Sequence, residues 1–530
     1  MAPPVGLVHS LEAWPYRLPA RQACVDLDMF TPRCRGGLNS RGLSCGRRRK
    51  MVSAVNEQLL DERLAELEAA RSWSPRLISK LESHIRTADD QALFRINAFS
   101  FAQQRHLDEN EIIDLFLHAT ALGLFSMDWS LYCPQCCCVV ESFRSLKSLH
   151  NHYHCAFCQV GYDAALDEYI AVAFTVSPGI RKIAFHEPDQ LSAWDKFFKT
   201  QNTAEGLLPD GQPLVNAKAA LARSVTYLPA GETTSIEIEV DEGTVVATCP
   251  FGRAALVISI AGAPASAPQV VPVAYGDDKV DGHDVRELAP GKIVFTLANK
   301  TAERGMFAIA VLPPGFDMGG APVHFIPFLN GKRLVTTQAF RDLFRSEIIR
   351  AQEGIGVKDI TLLFTDLKGS TALYDRIGDL NAFALVQRHF DLIQDVVARH
   401  NGAVIKTIGD AVMATFLEPA DAVAAALSMR NEIDAFNRKQ ADRAIILKIG
   451  IHKGAAIAVT LNERLDYFGQ TVNIAARVQQ LADAEEIFVS EDVYSGEGVH
   501  ALLAPREVVS SVFKLKGVQQ DLRVFRVAKD

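Results

Sequence analysis

From Val357 onward the chain alternates in a way few folds accommodate: a strand, a long helix, a hairpin, a second helix and another strand. Asp359–Asp366 (DITLLFTD) is an apolar, β-prone run that ends on an acid. A Gly369-Ser370-Thr371 turn then opens a helix expected to place Phe383, Phe390, Ile393 and Val397 on one face. The segment AVIKTIGDAVMATF predicts a β-hairpin with Gly409-Asp410 at its turn. A helix over roughly Pro419–Arg438 and a strand within AIILKIGIHKGAAI complete the unit. This βαββαβ order is the split ferredoxin-like arrangement, so the expected class is α+β.

A fold of this kind hosts many chemistries, and the acids narrow them. Asp366 ends the first strand and Asp410 sits at the hairpin tip, so both carboxylates can meet at one edge of the sheet. Hard oxygen ligands converging there suit two Mg²⁺ or Mn²⁺ ions bridged by a triphosphate. The turn Leu367–Thr371 leads into a helix N-terminus, whose free N–H groups can hold phosphate. Alone, such a turn is more often a helix cap; beside two acids it gains force.

Four segments, FTDLKGST, GAVIKTIGDAVMATF, KIGIHKGAA and DYFGQTVNIAARV, resemble the successive signature blocks of class III adenylyl/guanylyl cyclases, in family order. The resemblance runs from about Asp359 to Val527. It implies that Asp366 and Asp410 are the metal ligands, Lys406 and Asp466 the base-selecting pair, and Asn473 and Arg477 the transition-state pair. Lys516, in KLKG, corresponds to a phosphate-contacting lysine. The departures are Ala411, where a glycine is common, and Gln470, where an acid is common; neither removes a functional atom. The resemblance also implies a head-to-tail homodimer, in which one chain supplies both aspartates and its partner supplies Lys406, Asp466, Asn473 and Arg477.

The base pair can be read atom by atom. Adenine offers an acceptor at N1 and a donor at its exocyclic amine; Lys406 only donates and Asp466 only accepts, which complements that edge. Guanine reverses the pattern and leaves both charges mispaired, which costs on the order of 10³-fold in discrimination. The expected function is therefore an adenylyl cyclase making cyclic AMP and pyrophosphate from ATP. Its rivals are a guanylyl cyclase and a cyclase-like signalling protein that is weak or inactive and serves to dimerise.

Upstream, Cys133-Pro-Gln-Cys136 and Cys155-Ala-Phe-Cys158 are two CxxC knuckles 18 residues apart, spaced so that four thiolates close a tetrahedron around Zn²⁺. Such a site has no open position and is expected to be structural; Cys137, Cys138, His150, His152 and His154 leave some latitude in the ligand set. Residues 55–131 are expected to be helical, either a small subdomain or a winged-helix-like unit, with the zinc ribbon over 132–162. Short alternating runs over 163–337 predict an antiparallel β-sandwich-like regulatory domain. A helical linker over 338–356 then leads to the catalytic domain at 357–530. DWSLYCPQC, CAFC and FRDLFRSE give this region a likeness to modules that precede cyclase domains in some bacterial proteins; it implies regulation by an unidentified ligand or protein.

Charge adds limits. Residues 1–50 carry nine Lys/Arg against three acids, +6, so the remainder of the −8 chain is −14. That head (1–54) is Pro/Gly-rich and aperiodic, which predicts a disordered tail; a transit peptide, a nucleic-acid-binding arm, or a start at Met51 are alternatives. The acidic remainder gives no reason to expect a nucleic-acid partner. No stretch reaches the roughly 18 apolar residues that span a bilayer, so no membrane partner and a cytoplasmic location are expected.

Overall fold

The computed structural model describes residues 54–529 except 156, 159, 250–253, 277–279, 282–284, 316–322, 350–353, 439–444 and 516–520. The expected tail (1–54) lies outside the described residues up to residue 53, and so does Lys516.

Four helices open the described chain: α1 (Glu57–Ala70), α2 (Leu77–Thr87), α3 (Ala98–Arg105) and α4 (Glu109–Ala121). Side-chain caps start three of them: Asn56 accepts from Leu59 N, Asn97 from Phe99 N and Ser100 N, and Asp108 from Glu111 N. Their leucines and isoleucines meet in one core. The helical stretch stops there, short of the expected 131. Phe125–Tyr132 is strand β1, the centre of a three-stranded antiparallel sheet with β2 (Val139–Phe143) and β5 (Ile170–Val176). Period-two alternation in FSMDWSLY, with Trp129 fully buried, is what a strand requires. Because β5 pairs with β1, the run YIAVAFTVS belongs to this sheet and not to the sandwich. The knuckles frame a small hairpin, β3 (His152–Cys155) and β4 (Val160–Asp163).

The sandwich follows. One sheet orders Glu287–Leu288, Ala254–Ile260, Gly243–Cys249, Gly305–Leu312 and Ala222–Leu228; the other orders Val280–Asp281, Gln269–Tyr275, Gly291–Asn299 and Thr233–Val240. Their inner faces share a core of Val, Ile, Leu and Phe295. Two pairings are parallel, Gln269–Tyr275 with Gly291–Asn299 and Ala254–Ile260 with Glu287–Leu288, so the sandwich is mixed where an antiparallel one was expected. Among the described residues of the linker only α5 (Gln338–Leu343) is helical, and Phe344 at its end leaves helical geometry.

The last third is built on β6 (Ile355–Leu367), α6 (Ser370–Ile377), α7 (Asp379–Arg399), β7 (Ala403–Ile408), β8 (Ala411–Phe416), α8 (Pro419–Arg438) and β9 (Leu447–Leu461). It continues through β10 (Arg464–Phe468), α9 (Gln470–Leu481), β11 (Ile487–Ser490), β12 (Val508–Phe513) and β13 (Leu522–Val527). The sheet runs β7-β8-β6-β9-β11-β13-β12, with β10 paired to β9. Its first four strands, taken β9-β6-β8-β7, are the antiparallel ferredoxin-like core. The single long helix expected after Ser370 is broken at Gly378, whose φ of 77° suits glycine. On α7 Ala382, Val386, His389, Ile393, Val396 and Val397 face the core, while Phe383, expected there, is 59% exposed.

α7 and α8 cover one face of this sheet with a core built within the last third. The other face joins the front half. Ile360, Leu362, Phe364, Ile405, Met413, Ala458 and Tyr467 share one apolar cluster with Leu60, Phe116, Trp129, Phe174, Leu334 and Phe340. Residues from Val52 on accordingly form a single compact unit, where separate domains were expected. Polar contacts seal the joint: Asn110 donates to Asn401 (2.8 Å), Leu166 N to Gly356 O (3.0 Å), and Val404 N to the Gln338 side chain (2.8 Å). No described helix is long and apolar enough to cross a membrane.

Candidate nucleotide and metal sites

The two acids reach one end of the sheet by different routes. Thr365 pairs with Val412, which places Asp366 beside the β7–β8 turn that carries Asp410. That turn needs a left-handed residue, and Gly409 supplies it with φ 65°. One Asp410 carboxylate oxygen is buried without a hydrogen-bond partner. A buried acceptor with no hydrogen-bond donor among the described residues is where a cation fits, and the ligand atoms here are the hard oxygens that Mg²⁺ or Mn²⁺ prefers. The other carboxylate is held: Lys448 of β9 lies opposite Asp366 in register, with Nζ 2.7 Å from its Oδ2. Gly369 (φ 74°) turns the chain from β6 into α6 with open space around its α-carbon.

Lys406 and Asp466 come together from β7 and β10, Nζ to Oδ2 2.6 Å, with Asp466 6% exposed. The other Asp466 oxygen accepts from Tyr467 N at 2.7 Å. Asn473 and Arg477 are one helical turn apart on α9, so they share a face; Asn473 is exposed and Arg477 half-buried. Lys406 pairs with Met413 and Met413 with Phe364, two residues before Asp366. That register separates the backbones of Lys406 and Asp366 by roughly 7 Å along the strands and 10 Å across them.

Lys406 and Thr407 line a cavity of about 270 Å³. Its other wall is the front half: Gln338, Phe340, Arg341 and Phe344. The cavity is near the lower end of small-ligand pockets. Lys448 and Arg341 were not picked out from the sequence. Lys448 stands in a quoted signature block, yet its partner follows from strand register alone. Arg341 stands in FRDLFRSE, where nothing local sets it apart from Arg345.

In the front half Cys133, Cys136, Cys155 and Cys158 converge, with their sulfurs all within 4.8 Å of one another. Two edges measure 3.7 Å (Cys133–Cys158) and 3.6 Å (Cys136–Cys155). Thiolates about 2.3 Å from a tetrahedral Zn²⁺ stand about 3.8 Å apart, so the four residues fit that ion. Hydrogen bonding among the crowded thiols, with Cys136 foremost, holds Cys133 far below the ordinary thiol range. Cys138 intrudes at 3.1 Å from Cys136 and 3.4 Å from Cys155, while Cys137 stands apart, its thiol pushed up to about 12 by burial.

A family model described as "Adenylate and Guanylate cyclase catalytic domain" matches residues 355–504, and one described as "Family of unknown function (DUF5939)" matches residues 60–342, more than half of the chain. The chain belongs to the second of these families. Its last third is a cyclase catalytic domain of class III. Among curated relatives, "Putative adenylate cyclase 3" of Rhizobium meliloti (strain 1021) is 29% identical over 176 residues, 33% of this chain and 29% of the relative. "Adenylate cyclase 1" of the same organism is 33% identical over 136 residues, 23% of this chain and 20% of the relative. The chain thus spans under a third of the length of either relative. A crystal structure of the adenylyl cyclase CyaB from P. aeruginosa aligns over 34% of this chain and 97% of its own, at 20% identity and TM-score 0.30.

Proposed function

We propose that the chain is an adenylyl cyclase whose sites are completed by a second copy of itself. The observation that carries the substrate is the Lys406–Asp466 pair: one donor-only and one acceptor-only side chain, 2.6 Å apart, beside a cavity that can admit a base. ATP parts the ion pair. Lys406 then donates to adenine N1 and Asp466 accepts from the exocyclic amine, so the charge each loses is replaced by a hydrogen bond.

In the reaction the ribose 3′-oxygen bonds to the α-phosphorus, the bond from that phosphorus to the bridging oxygen breaks, pyrophosphate leaves, and the hydroxyl proton passes to solvent. Asp366 and Asp410 would hold Mg²⁺ or Mn²⁺, which when bound lowers the pKa of the attacking hydroxyl and neutralises the polyphosphate. Lys448 orients Asp366 from the neighbouring strand. Arg477 compensates charge developing on the α-phosphate, and Asn473, on the same face of α9, orients the ribose.

Apolar surface on the β9–β10 arm supports a dimeric site: Ile457 and Phe468, which pair across it, are 42% and 63% exposed, and Leu461 near its tip is 45% exposed. A second copy burying these side chains would bring its own acids to this chain's base pair. The four-cysteine cluster is proposed to hold structural Zn²⁺, with the front half regulatory.

The test is an assay of the purified full chain with ATP and with GTP, each with Mg²⁺ and with Mn²⁺. Cyclic AMP formation from ATP at least a hundredfold faster than cyclic GMP formation from GTP supports the reading. Preference for GTP would reassign the substrate, and no product from either would favour a purely dimerising role.

A further inference from the structure

The base-selecting strand is gripped by a residue from outside the cyclase family match. Arg341 lies on α5, in the front-half match that runs to residue 342. Its Nη1 donates to Leu465 O at 2.9 Å, and its Nε donates to Val335 O at 3.0 Å. Its guanidinium carbon lies 5.8 Å from the centre of the Tyr467 ring. Leu465 and Tyr467 are the two neighbours of Asp466, so one side chain holds the base-reading carboxylate on both flanks. Among the described residues Arg341 has no ion-pair partner, and its Nη2 is buried without a hydrogen-bond acceptor. A buried guanidinium is expensive to place, and a surface anchor would serve if the aim were only to hold two halves together.

The rest of α5 ties that grip to the front core. Phe340 is 1% exposed, stacks on Phe344 (5.6 Å between ring centres) and meets Trp129 edge-on (6.4 Å). Gln338 accepts from Val404 N, two residues before Lys406. Both members of the base pair are thus approached from the same six-residue helix, one through β10 and the other through β7.

We infer that Arg341 is a positioning residue for base recognition: the front half, through α5, sets the placement of Asp466 and so the preference between ATP and GTP. This rests on Lys406 and Asp466 being the base-selecting pair. Without the grip, β10 keeps its pairing with β9 but the carboxylate loses its fixed aim, so the adenine amine is bound less well and the penalty against guanine falls. The effect is on selectivity first and on turnover second.

The experiment measures kcat/KM for ATP and for GTP in the full-length protein and in Arg341→Met and Arg341→Lys, with thermal melts of all three. Met retains bulk and flexibility in the buried slot, so the variant is expected to fold; Lys restores the charge and one donor. The ATP-over-GTP ratio is expected to fall about tenfold in Arg341→Met, as the loss of one buried hydrogen-bonded contact implies, and to recover at least threefold in Arg341→Lys. A ratio within twofold of wild type in a folded Met variant, with both nucleotides slowed equally, would overturn the inference and leave Arg341 a packing residue. Should Met fail to fold, the Lys variant carries the test through KM: a higher KM for ATP with GTP unaffected supports positioning, and equal changes oppose it. Wild-type protein with no preference for ATP contradicts the base-pair reading itself, which separates that failure from failure of Arg341.

Discussion

The two faces of the cyclase sheet are covered from very different distances along the chain. One is closed by α7 and α8, and its core draws on residues between Leu363 and Val527. The other merges with a cluster that begins at Leu60, so residues three hundred positions away pack on Leu362, Phe364 and Met413. Lys406, Asp466 and α9 all contribute to or border that second face. The difference teaches where regulation can enter. The front half touches the strands of the base pair through packed side chains, whereas the α7–α8 face packs within the catalytic fold.

Zinc should have the largest effect on that asymmetry. Structural zinc sites supply about 10–16 kcal/mol of apparent folding free energy in small peptides. Cys133→Ser should therefore release the metal and unfold the ribbon, as metal analysis and circular dichroism would register. Because the front half and the sheet share a core, cyclase activity of the full chain should fall with it. Wild-type protein purified without chelator and free of zinc would contradict the assignment.

Phe340→Ala removes a fully buried ring from the joint and should cost about 3–5 kcal/mol. Denaturant unfolding should remain a single transition with a lower midpoint, since both halves lean on that ring. Two separable transitions, only one of them displaced, would break the picture of a shared core.

Acid should act on both faces, through His389 on the α7–α8 side and through His452, opposite Leu362 in register, on the other. Burial pushes His389 of α7 down to about 4, and pushes His452, which bonds Ser490 at 2.9 Å, down to about 4 as well. The unfolded chain takes up these protons near pH 6.5 and the folded chain resists until about 4. Stability is therefore full above 6.5 and is lost as pH falls through that window, by about 3 kcal/mol for each histidine. Both His389 ring nitrogens are buried without partners, so His389→Leu should flatten the dependence. Melts of wild type and variant at pH 7 and pH 4.5 that shift in parallel would refute this.

How much of this was open to a reader of the sequence follows from the range of the interactions. The cyclase strands, the hairpin turn at Gly409-Asp410 and helix Pro419–Arg438 are local patterns, and they lie where periodicity places them. Phe383 was misplaced because it lies near the start of α7, at the edge of the face that Ala382, Val386 and Ile393 turn to the core. β1 was folded into a helical stretch because its eight residues follow four real helices and are too short for their alternation to stand out. The four knuckle cysteines announce themselves by spacing; the approach of Cys138 does not, because it depends on the φ of 56° at Cys137. Lys448 and Arg341 acquire meaning only from strands and helices that fold back from afar.

The claim that the site is completed by a second copy is tested most directly by complementation. Asp366→Ala and Arg477→Ala should each be inactive alone, since each damages every site of its homodimer. Co-expressed in equal amounts they should give about half heterodimers, each with one doubly damaged site and one intact site, and so about a quarter of wild-type cyclic AMP formation. Activity near a quarter, with heterodimers demonstrated by two affinity tags, is the expected result. No recovery in demonstrated heterodimers would contradict the account, because Asp366 and Arg477 would then serve the same chain's site.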